Sequence, residues 1–577
     1  MLQAGRDLVV LDGGEDLAAD LRELLSTLSF PVLLARRSPL GAPAESVIET
    51  PALDPSAARQ LFRLRAARWP SAASSALDDD ALLDAICAAV DRLPLGVELA
   101  AAQLRSHSPM DLRLRLEHRV DRLADPDRPG PLRHRSLGAA FAGAVETLGQ
   151  DHLDDLVQAA VFRGGWNLDA YRAVVGVDAV DRLEQLVSAG LVWPDRSGLR
   201  FRYRIPAAVA DRVAVDREVR TATARAHAAH FAGQALRWRM QRGGFEAVQA
   251  AQAIALDAAN VEAAMQNALR IDDDLAAAVT LASGNLFYTP TRLPWFDARL
   301  AELVQRQAGS GQNRHRLLVM YGHTGYLLGR QHSAVADLRS GMENLDPADD
   351  LAIRARTILA QVAADLADPE AVPLARAAVS AAEATGRPAL LSQTLDSAVF
   401  VAIMTEDLGQ AQEWAMDKLN LELLRHDDFG RSFTLLRLSW IAYLSENDDA
   451  ATDLAGQSRA LAADTGNELV VLYATAIAGQ AMLSSQPQAA LGTLAGCAVT
   501  LLDESVPLDV ADAVMAVAGG CALTGQPHAA VRLAAAADRR YAEAEIARPS
   551  VAGRMMPDDE LRAVLVGLRE GTSGPAG

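Results

Sequence analysis

The hydrophobic pattern of the first 54 residues differs from that of the rest of the chain. Three short apolar runs, LVVLD at 8–12, PVLLA at 31–35 and SVIET at 46–50, have the length and composition of buried strands. A helical pattern joins the first two runs, and the turn SPLGAP precedes the third. This order predicts the last part of a doubly wound α/β domain. Since three strands do not complete such a sheet, we expect apolar strand faces to stay open.

From residue 55 the apolar spacing becomes helical. Ser56 and Ser108 precede helical segments and are predicted to cap them. The segment 125–133 has three prolines and a glycine and predicts a linker. Further helical segments follow, and LVWPDRSGLRFRYRI at 191–205 then gives two β-type runs across an Asp/Ser/Gly turn. Helices followed by a β-hairpin predict a winged-helix-like module.

Beyond residue 220 the sequence repeats a helical pattern in which a turn is followed by an alanine. The alanines recur at intervals of 37, 40, 40, 39 and 40 residues, at Ala334, Ala371, Ala411, Ala451, Ala490 and Ala530. Each unit predicts a helical hairpin in which a small residue lets two helices approach closely. The first unit also has Gly322, Gly329 and Leu338 at the tetratricopeptide (TPR) spacing. We therefore predict a TPR-like α-solenoid.

The composition is that of a folded protein without a membrane span. Of the 577 residues 50% are hydrophobic, and the formal net charge is −19. The excess acidity lies mainly after residue 250, which argues against a nonspecific nucleic-acid surface there. No run of about 18 apolar residues occurs, and the start lacks a secretory signal pattern. Three scattered cysteines predict buried thiols in a reducing cytoplasm: Cys87, Cys497 and Cys521.

The first apolar run ends in Asp12, which the sequence places beside a Gly-Gly-Glu turn. A strand with this ending projects a carboxylate from the sheet edge where a Walker B aspartate contacts Mg²⁺ in phosphate-loop NTPases. The alternative is an ordinary buried strand that ends in an Asp-Gly turn. The partner motif needs a lysine at the end of a glycine-rich loop. The only lysine, Lys418, lies in a helical segment, so this polypeptide does not form a standard phosphate loop alone.

Several segments together resemble the bacterial signal-transduction ATPases with numerous domains (STAND), in the branch fused to transcription regulators and rich in TPR-like repeats. LVVLDGGEDL is similar to the Walker B strand of that branch, and VLLARRSPLGAP resembles its next strand. DRLPLGVELAAAQLR resembles the start of its helical subdomain, and RHRSLGAAF with AAVFRGGWNLDA resembles its winged helix. AVRLAAAADRRYAEA is similar to the last repeat. The resemblance runs from residue 8 to about residue 570.

The resemblance implies roles for four residues, although none is assigned as catalytic. Asp12 is the matching Mg²⁺ ligand, and Glu15 would orient a water, with a solvated acidic turn as the alternative for Glu15. Arg37 matches the arginine that senses the nucleotide, and Pro94 matches the proline that lies against the adenine.

The sequence also departs from the family pattern. Arg92 replaces the glycine before Leu-Pro-Leu, and FRYRIPAAV at 201–209 lacks the histidine-bearing motif that often closes the winged helix. The phosphate loop, and the helix-turn-helix that many relatives carry after the repeats, have no counterpart in this sequence. ATP or ADP with Mg²⁺ would be cofactors only if a phosphate loop from elsewhere completed the site.

The predicted fold class is mainly α, with a partial α/β remnant of an NTPase, a helical subdomain, a winged-helix-like module and a TPR-like α-solenoid. The predicted boundaries are 1–54 for the last part of the NTPase core, 55–124 for its helical subdomain, 125–215 for the winged-helix-like module, 216–310 for a helical linker and first repeats, 311–565 for the solenoid and 566–577 for a flexible tail.

The leading functional interpretation is a truncated or degenerate STAND-type regulator that binds a protein or a small inducer on its solenoid, with no membrane partner. Acidic residues would favour a basic protein partner: Asp407, Glu413, Asp417, Asp427 and Asp428. The first alternative is the C-terminal portion of an ATP-hydrolysing regulator whose phosphate loop lies upstream or on another chain. The state of oligomerisation stays open.

The second alternative is a DNA-binding regulator that acts through the winged helix. Five arginines there could face phosphates: Arg196, Arg200, Arg202, Arg204 and Arg212. In STAND relatives this module packs on the nucleotide domain, and the acidic net charge also argues against DNA. His227 and His230 share a helix face, but no acidic or cysteine partner stands at ligand spacing, so we predict a packing role.

Overall fold

The computed structural model describes residues 8–13, 17–28, 30–36, 39–43, 45–68, 77–116, 120–128, 131, 134–196, 201–216, 219–241, 247–287, 292–307, 313–504, 507–543, 564–566 and 568. The chain divides into two compact units, residues 1–230 with 262–267 and residues 231–261 with 268–577. In the described ranges, no helix has the length and apolar character that crossing a bilayer requires.

The strands are β1 (Val9–Asp12), β2 (Val32–Ala35), β3 (Trp166–Asn167), β4 (Trp193–Asp195) and β5 (Arg202–Arg204). The α-helices that begin before residue 240 are α1 (Ala18–Thr27), α2 (Pro55–Ala66), α3 (Asp80–Ala89), α4 (Pro94–Ala102), α5 (Pro109–Leu116), α6 (Leu137–Glu146), α7 (Gln150–Ala159), α8 (Leu168–Val174), α9 (Asp178–Ser188), α10 (Ala207–Asp216) and α11 (Thr221–Gln241).

The later helices are α12 (Ala247–Ile271), α13 (Asp273–Ser283), α14 (Leu293–Arg306), α15 (Arg314–Leu327), α16 (Gln331–Met342), α17 (Asp350–Asp365), α18 (Ala371–Ala384), α19 (Pro388–Met404), α20 (Leu408–Arg425), α21 (Asp428–Leu444), α22 (Asp448–Thr465), α23 (Glu468–Ala481), α24 (Pro487–Glu504), α25 (Pro507–Leu523) and α26 (Pro527–Glu543). The prediction of a mainly α fold with a helical solenoid is confirmed.

The first two strands form a parallel pair connected by α1, as predicted. Val9 lies opposite Val32, and Asp12 lies opposite Ala35. One face of this pair is open, because the side chains of Val10 and Leu33 are 60% and 48% exposed. The prediction of a third strand at 46–50 is wrong, since these described residues belong to neither sheet.

Glu45 explains why the chain turns away after β2. Its carboxylate accepts hydrogen bonds from the backbone N–H groups of Leu40, Gly41 and Ala42, at 2.8, 2.6 and 3.2 Å. The bond from Leu40 is the main reason why the pKa of Glu45 lies below its ordinary value. Residues 39–43 are thereby closed into a compact loop, and residues 46–50 after it belong to neither sheet.

Helices α2 to α5 pack around one core, in which the side chains of Phe62, Ile86 and Leu99 are fully buried. Their apolar positions recur at helical spacing, so each helix turns one face toward this core. Cys87 lies in the same core, and burial raises its pKa to about 11. The three cysteines are buried and free, so the prediction that their thiols are buried is confirmed.

The helix caps correct one prediction and confirm another. Asp54, and not Ser56, caps α2, because its carboxylate accepts a hydrogen bond from the N–H of Ala57 at 2.8 Å. Pro55 fixes the first helical position, which places the cap one residue before it. The hydroxyl of Ser108 accepts from the N–H of Asp111 at 3.2 Å, as predicted for a cap.

A three-stranded antiparallel sheet with the order β3-β5-β4 lies among the helices that follow residue 136. The predicted hairpin is β4 with β5, where Trp193 lies opposite Arg204. Helix α7, β3, α8, α9, β4 and β5 follow one another in the element order of a winged helix. Sequence reading missed β3, because two residues, Trp166 and Asn167, give no measurable period. The boundaries 125–215 remain a prediction.

Six helical hairpins follow one another in the second unit, from α15 with α16 to α25 with α26. The predicted alanines lie at the start of the second helix of each hairpin. Five of them are at most 1% exposed: Ala334, Ala371, Ala411, Ala451 and Ala490. Ala530 in the last hairpin is half-buried. The hairpin prediction is therefore confirmed, with close helix contact at the alanines in five of the six units.

A residue with left-handed backbone conformation ends the first helix of most hairpins. Ala367, Glu406 and Glu446 have φ values of 55°, 62° and 58°, like the glycines at two other hairpins. The N–H of Asp407 then donates to the carbonyl of Ala402 at 2.9 Å, and the same bond recurs at the equivalent turns. This geometry satisfies terminal helix carbonyls and reverses the chain direction.

The first helices of successive hairpins form the inner layer of the solenoid. Helices α15, α17, α19 and α21 each pack on the next first helix along the array. The second helices pack mainly on first helices. The exposed side chains of these first helices form what we call the inner face.

We expect Gly322→Ala to lower the free energy of unfolding of the second unit by about 1 to 2 kcal/mol. A Cβ at Gly322 would lie 2.7 Å from Leu338 Cγ and 3.1 Å from the carbonyl of Ala334, so the hairpin would have to open. Chemical denaturation measures the change. Gly456→Ala is the matched control, because a Cβ there meets nothing within 4 Å and should stabilise its helix. Equal effects of both substitutions would contradict the packing argument.

Candidate functional site

Asp12 is the one described member of the predicted Walker B and sensor set in the first 54 residues. It lies at the carboxyl end of β1 and is exposed. The N–H of Gly13 donates to the carbonyl of Ala35 at 3.0 Å, so the parallel pair continues past the aspartate. Glu15 and Arg37 lie outside the described residues. The role of all three remains a prediction.

Pro94 begins α4 and is exposed. The segment before it has left-handed backbone at Asp91 and Arg92, with φ values of 55° and 51°. Arg92 thus has a left-handed conformation, which is the one that favours glycine. The N–H of Leu53 donates to the carbonyl of Arg92 at 3.1 Å, which fixes the end of the preceding segment at this turn. The adenine contact assigned to Pro94 stays a prediction.

In the winged-helix-like module the third helix, α9, is acidic where a DNA reader would have a basic recognition helix. Asp178, Asp181 and Glu184 are exposed on α9. Arg182, the basic residue of that helix, donates two hydrogen bonds to Asp155, at 2.5 and 2.9 Å. This charge distribution repels phosphates and gives the DNA alternative no support.

Of the five arginines proposed for DNA, Arg200 lies outside the described residues, and two others pair with carboxylates of the same unit. Arg196 pairs with Glu49, and Arg204 pairs with Asp91. Arg204 also lies over the ring of Trp193, at 4.7 Å from the centroid. These pairs join the β4–β5 hairpin to the segments before it, so the arginines have a structural role.

His227, one of the two histidines considered for a metal, has the predicted packing role. His227 is fully buried, and its ring makes an edge contact with Phe162 at 5.3 Å between centroids. Within the described part of the chain, no group of three His, Cys, Asp or Glu side chains is placed to hold a metal ion.

The sole lysine belongs to a buried polar cluster between three helices of the solenoid. The Lys418 cluster, as we call it, consists of Ser392 and Asp396 on α19, Lys418 and Glu422 on α20, and Thr434 and Arg437 on α21. Lys418 and Glu422 are 3% and 0% exposed, and Nζ lies 2.7 Å from Oε1. Burying two charges costs free energy unless each one is paired and hydrogen-bonded.

Two hydroxyl groups form hydrogen bonds with the buried pair. Thr434 accepts a hydrogen bond from Lys418 Nζ at 2.7 Å and donates to Glu422 Oε2 at 2.6 Å. Ser392 donates to Glu422 Oε1 at 3.2 Å. Gly430 leaves room for this carboxylate, since a Cβ there would lie 2.5 Å from Oε1. The pair is therefore fixed in position by three helices.

Two members of the cluster reach the inner face. The side chains of Asp396 and Arg437 are 26% and 20% exposed, and the closest approach between their charged groups is 3.5 Å. Lys418 Nζ also lies 3.5 Å from Asp396 Oδ1. The guanidinium of Arg437 lies 5.3 Å from the ring centroid of Phe400 and 6.0 Å from that of Trp440. Aromatic rings, more than a tight ion pair, hold this arginine.

The acidic residues predicted to attract a basic partner have local roles. Asp407 caps α20, and Asp427 caps α21 while being only 4% exposed. Asp428 pairs with Arg431 at 2.5 Å. Glu413 and Asp417 lie on α20, which is a second helix and does not line the inner face. The acidic net charge of the whole chain therefore does not show that the inner face is acidic.

We expect Asp396→Asn to change how stability depends on pH. Burial alone would raise the pKa of Asp396, but the charges of Arg437 and Lys418 outweigh it and lower the pKa below its ordinary value. The stabilisation is then present above the unfolded pKa of about 3.9 and is lost as pH falls through the lower folded value. Denaturant titrations from about pH 6 to pH 3 should show a shrinking difference between wild type and variant. Exposed Asp417→Asn is the control; a constant difference for Asp396→Asn would contradict the ion-pair interpretation.

No protein-family model matches the chain. A protein of Mycobacterium bovis named provisionally as an HTH-type transcriptional regulator is 32% identical over 212 residues, which are 35% of this chain and 24% of that protein. An uncharacterised protein of the same organism is 28% identical over 218 residues, which are 36% of this chain and 56% of that protein. The chain thus spans about a quarter and about half of the lengths of these relatives.

Two solved structures are similar at low TM-scores. The STAND protein with a tetratricopeptide repeat sensor from Pyrococcus horikoshii aligns at a TM-score of 0.39 with 11% identity, over 98% of this chain and 82% of that chain. A Rap protein complexed with competence and sporulation factor aligns at 0.46 with 10% identity, over 70% of this chain and 98% of that chain. Likeness at this level supports no conclusion about the function of this chain.

Proposed function

We propose that this protein is a regulator of signalling or transcription whose solenoid binds a protein or a small inducer. The observation that carries the proposal is the Lys418 cluster, which holds Asp396 and Arg437 at the inner face. Four charged groups with limited exposure destabilise a helical repeat compared with an apolar seam of the same shape. A binding role gives a reason for this arrangement.

The sequence relationship to a protein named as a transcriptional regulator supports the regulatory part of the proposal. The solenoid supports the binding part, because stacked hairpins present a long array of side chains on rigid helices. In this proposal the first unit, with its strand pair and winged-helix-like module, transmits the state of the solenoid.

Transcript profiling in the native host tests the proposal. Deletion of the gene should change the levels of a defined set of transcripts, and a chromosomal Arg437→Gln variant should change the same set. Arg376→Gln on α18 is the matched control, since Arg376 is an exposed arginine of a second helix that donates to Gln410 at 3.1 Å. Unchanged transcripts in the deletion strain would refute a regulatory role.

A second candidate function is the C-terminal portion of an ATP-hydrolysing STAND regulator, with Asp12 as Mg²⁺ ligand and Arg37 and Pro94 at the nucleotide. The parallel pair with an open apolar face and an aspartate at its carboxyl edge favours this candidate. Hydrogen exchange of 8–36 in the purified chain, with and without ATP and Mg²⁺, tests whether this chain alone binds nucleotide. Protection by nucleotide that Asp12→Asn abolishes would support it; identical exchange would refute binding by this chain alone.

A further inference from the structure

The guanidinium of Arg437 lies close to two aromatic rings but has few hydrogen-bond acceptors near it. Among the described residues its hydrogen bonding is limited to one long contact, 3.5 Å from Nη2 to Asp396 Oδ2. Its Nε is buried without a hydrogen-bond partner. A guanidinium has five N–H donors in a rigid fork, and buried donors without acceptors cost free energy. Among the described residues, most donors of this guanidinium therefore have no acceptor.

Two aromatic rings lie beside the guanidinium of Arg437 and would also contact a ligand bound to it. Phe400 and Trp440 lie near it and near each other, with 6.3 Å between their centroids. A guanidinium that lies over rings keeps its planar edge for hydrogen bonds. A planar anion with an apolar body can bond to this edge while the body contacts the rings.

The charges at the inner face favour an anion at this position. Glu422 is fully buried and compensated by Lys418, so its charge does not reach the surface. Arg354 on the neighbouring α17 donates to Gln393 at 3.4 Å, and Gln393 lies one turn before Asp396 on α19. Arg354 and Arg437 thus bring two guanidinium groups to this part of the inner face.

We propose that Arg437 binds the carboxylate of an organic acid whose apolar or aromatic body packs on Phe400 and Trp440. This inference rests on the proposed function and names the class of ligand. Bidentate hydrogen bonds from an arginine fork match the planar geometry of a carboxylate. Asp396 is a positioning residue: it lies 3.5 Å from the guanidinium and 3.5 Å from Lys418 Nζ, and it does not touch the ligand.

Isothermal titration calorimetry of the purified full chain tests the inference. The probes are phenylacetate, N-acetyl-phenylalanine and the peptide N-acetyl-Ala-Ala-Phe, each compared with its neutral amide, and inorganic phosphate. We expect saturable binding of a carboxylate and at least about tenfold weaker binding of its amide. Binding of the peptide alone would identify a peptide carboxylate as the source, and binding of the small acids would identify a free acid; either supports the inference.

Variants separate a binding role from a structural one. Arg437→Gln should weaken the carboxylate about 10- to 100-fold, Arg437→Lys should weaken it less, and the control Arg376→Gln should have no effect. Circular dichroism first verifies that each variant folds. If Arg437→Gln does not fold, Arg437→Lys, which keeps the charge, is the variant whose affinity is compared with that of the wild type.

Three results would overturn the inference: no saturable carboxylate binding at about 10 mM probe, equal affinity for acid and amide, or unchanged affinity in both Arg437 variants. Phosphate binding as tight as that of every carboxylate would also overturn it. If the deletion strain nevertheless shows changed transcripts, the proposed regulatory function stands although the carboxylate site is refuted. Failure of the ligand inference is therefore distinguishable from failure of the proposed function.

Discussion

Replacing Lys418 by methionine is expected to lower the free energy of unfolding of the second unit by about 3 to 5 kcal/mol. The substitution removes the ammonium that lies 2.7 Å from Glu422 and leaves a carboxylate that is 0% exposed without its counter-charge. The hydroxyls of Thr434 and Ser392 would still donate to Glu422, but hydrogen bonds from two neutral hydroxyls do not compensate the desolvation of its charge. Guanidinium chloride denaturation, followed by circular dichroism, measures the loss.

The double variant Lys418→Met with Glu422→Leu is the matched control. It removes both charges and fills the space with apolar groups of similar volume, so it should recover most of the stability lost in the single variant. A double variant that is less stable than Lys418→Met would show that the cluster stabilises the hairpins by more than charge compensation. The double variant also removes the ammonium group that lies 3.5 Å from Asp396. We therefore expect it to weaken carboxylate binding while the chain stays folded.

Asp297→Ala is expected to lower the free energy of unfolding by about 2 to 3 kcal/mol. Asp297 on α14 is 7% exposed and accepts two hydrogen bonds from Arg330, at 2.8 and 2.7 Å. It also accepts a bond from the hydroxyl of Thr324 at 2.5 Å. These contacts attach α14 to the first hairpin. The side chain of Arg330 is 39% exposed and can reach water after the substitution, so the loss is smaller than for Lys418.

Thermal and denaturant unfolding measure this effect, and Asp337→Ala serves as control. Asp337 lies on α16 near Arg330, but burial raises its pKa, so its charge contributes less to the folded state. We expect the control to be close to wild type. A loss at Asp337 that equals the loss at Asp297 would show that the carboxylate charge near Arg330, and not the specific hydrogen bonds, holds the two helices together.

The sequence predicted the solenoid well because its signal is local and repeated. A small residue near the start of each second helix, such as Ala411 or Ala451, reports close helix contact at a constant interval. The prediction of the third strand was wrong for another reason. SVIET has strand-forming residues, but Glu45 just before it accepts three backbone hydrogen bonds from the preceding loop, and this local contact overrides strand propensity.

The candidate site was beyond the reach of sequence reading for a different reason. Lys418 and Glu422 stand four residues apart on a helix, which is the ordinary spacing of an exposed ion pair. Whether such a pair is buried depends on the residues of α19 and α21 that pack on it. Gly430, which makes room for Glu422, is a partial signal, yet a single sequence does not connect it to that carboxylate.

The burial of Lys418 has a practical consequence for solution experiments. It is the only side-chain amine of the chain, and 3% of it is exposed in the folded state. Acylating reagents that react with side-chain amines will therefore modify this position only while the hairpins around it are transiently separated. The rate of that reaction, followed by mass spectrometry, reports the opening of one defined place in the array without any engineered label.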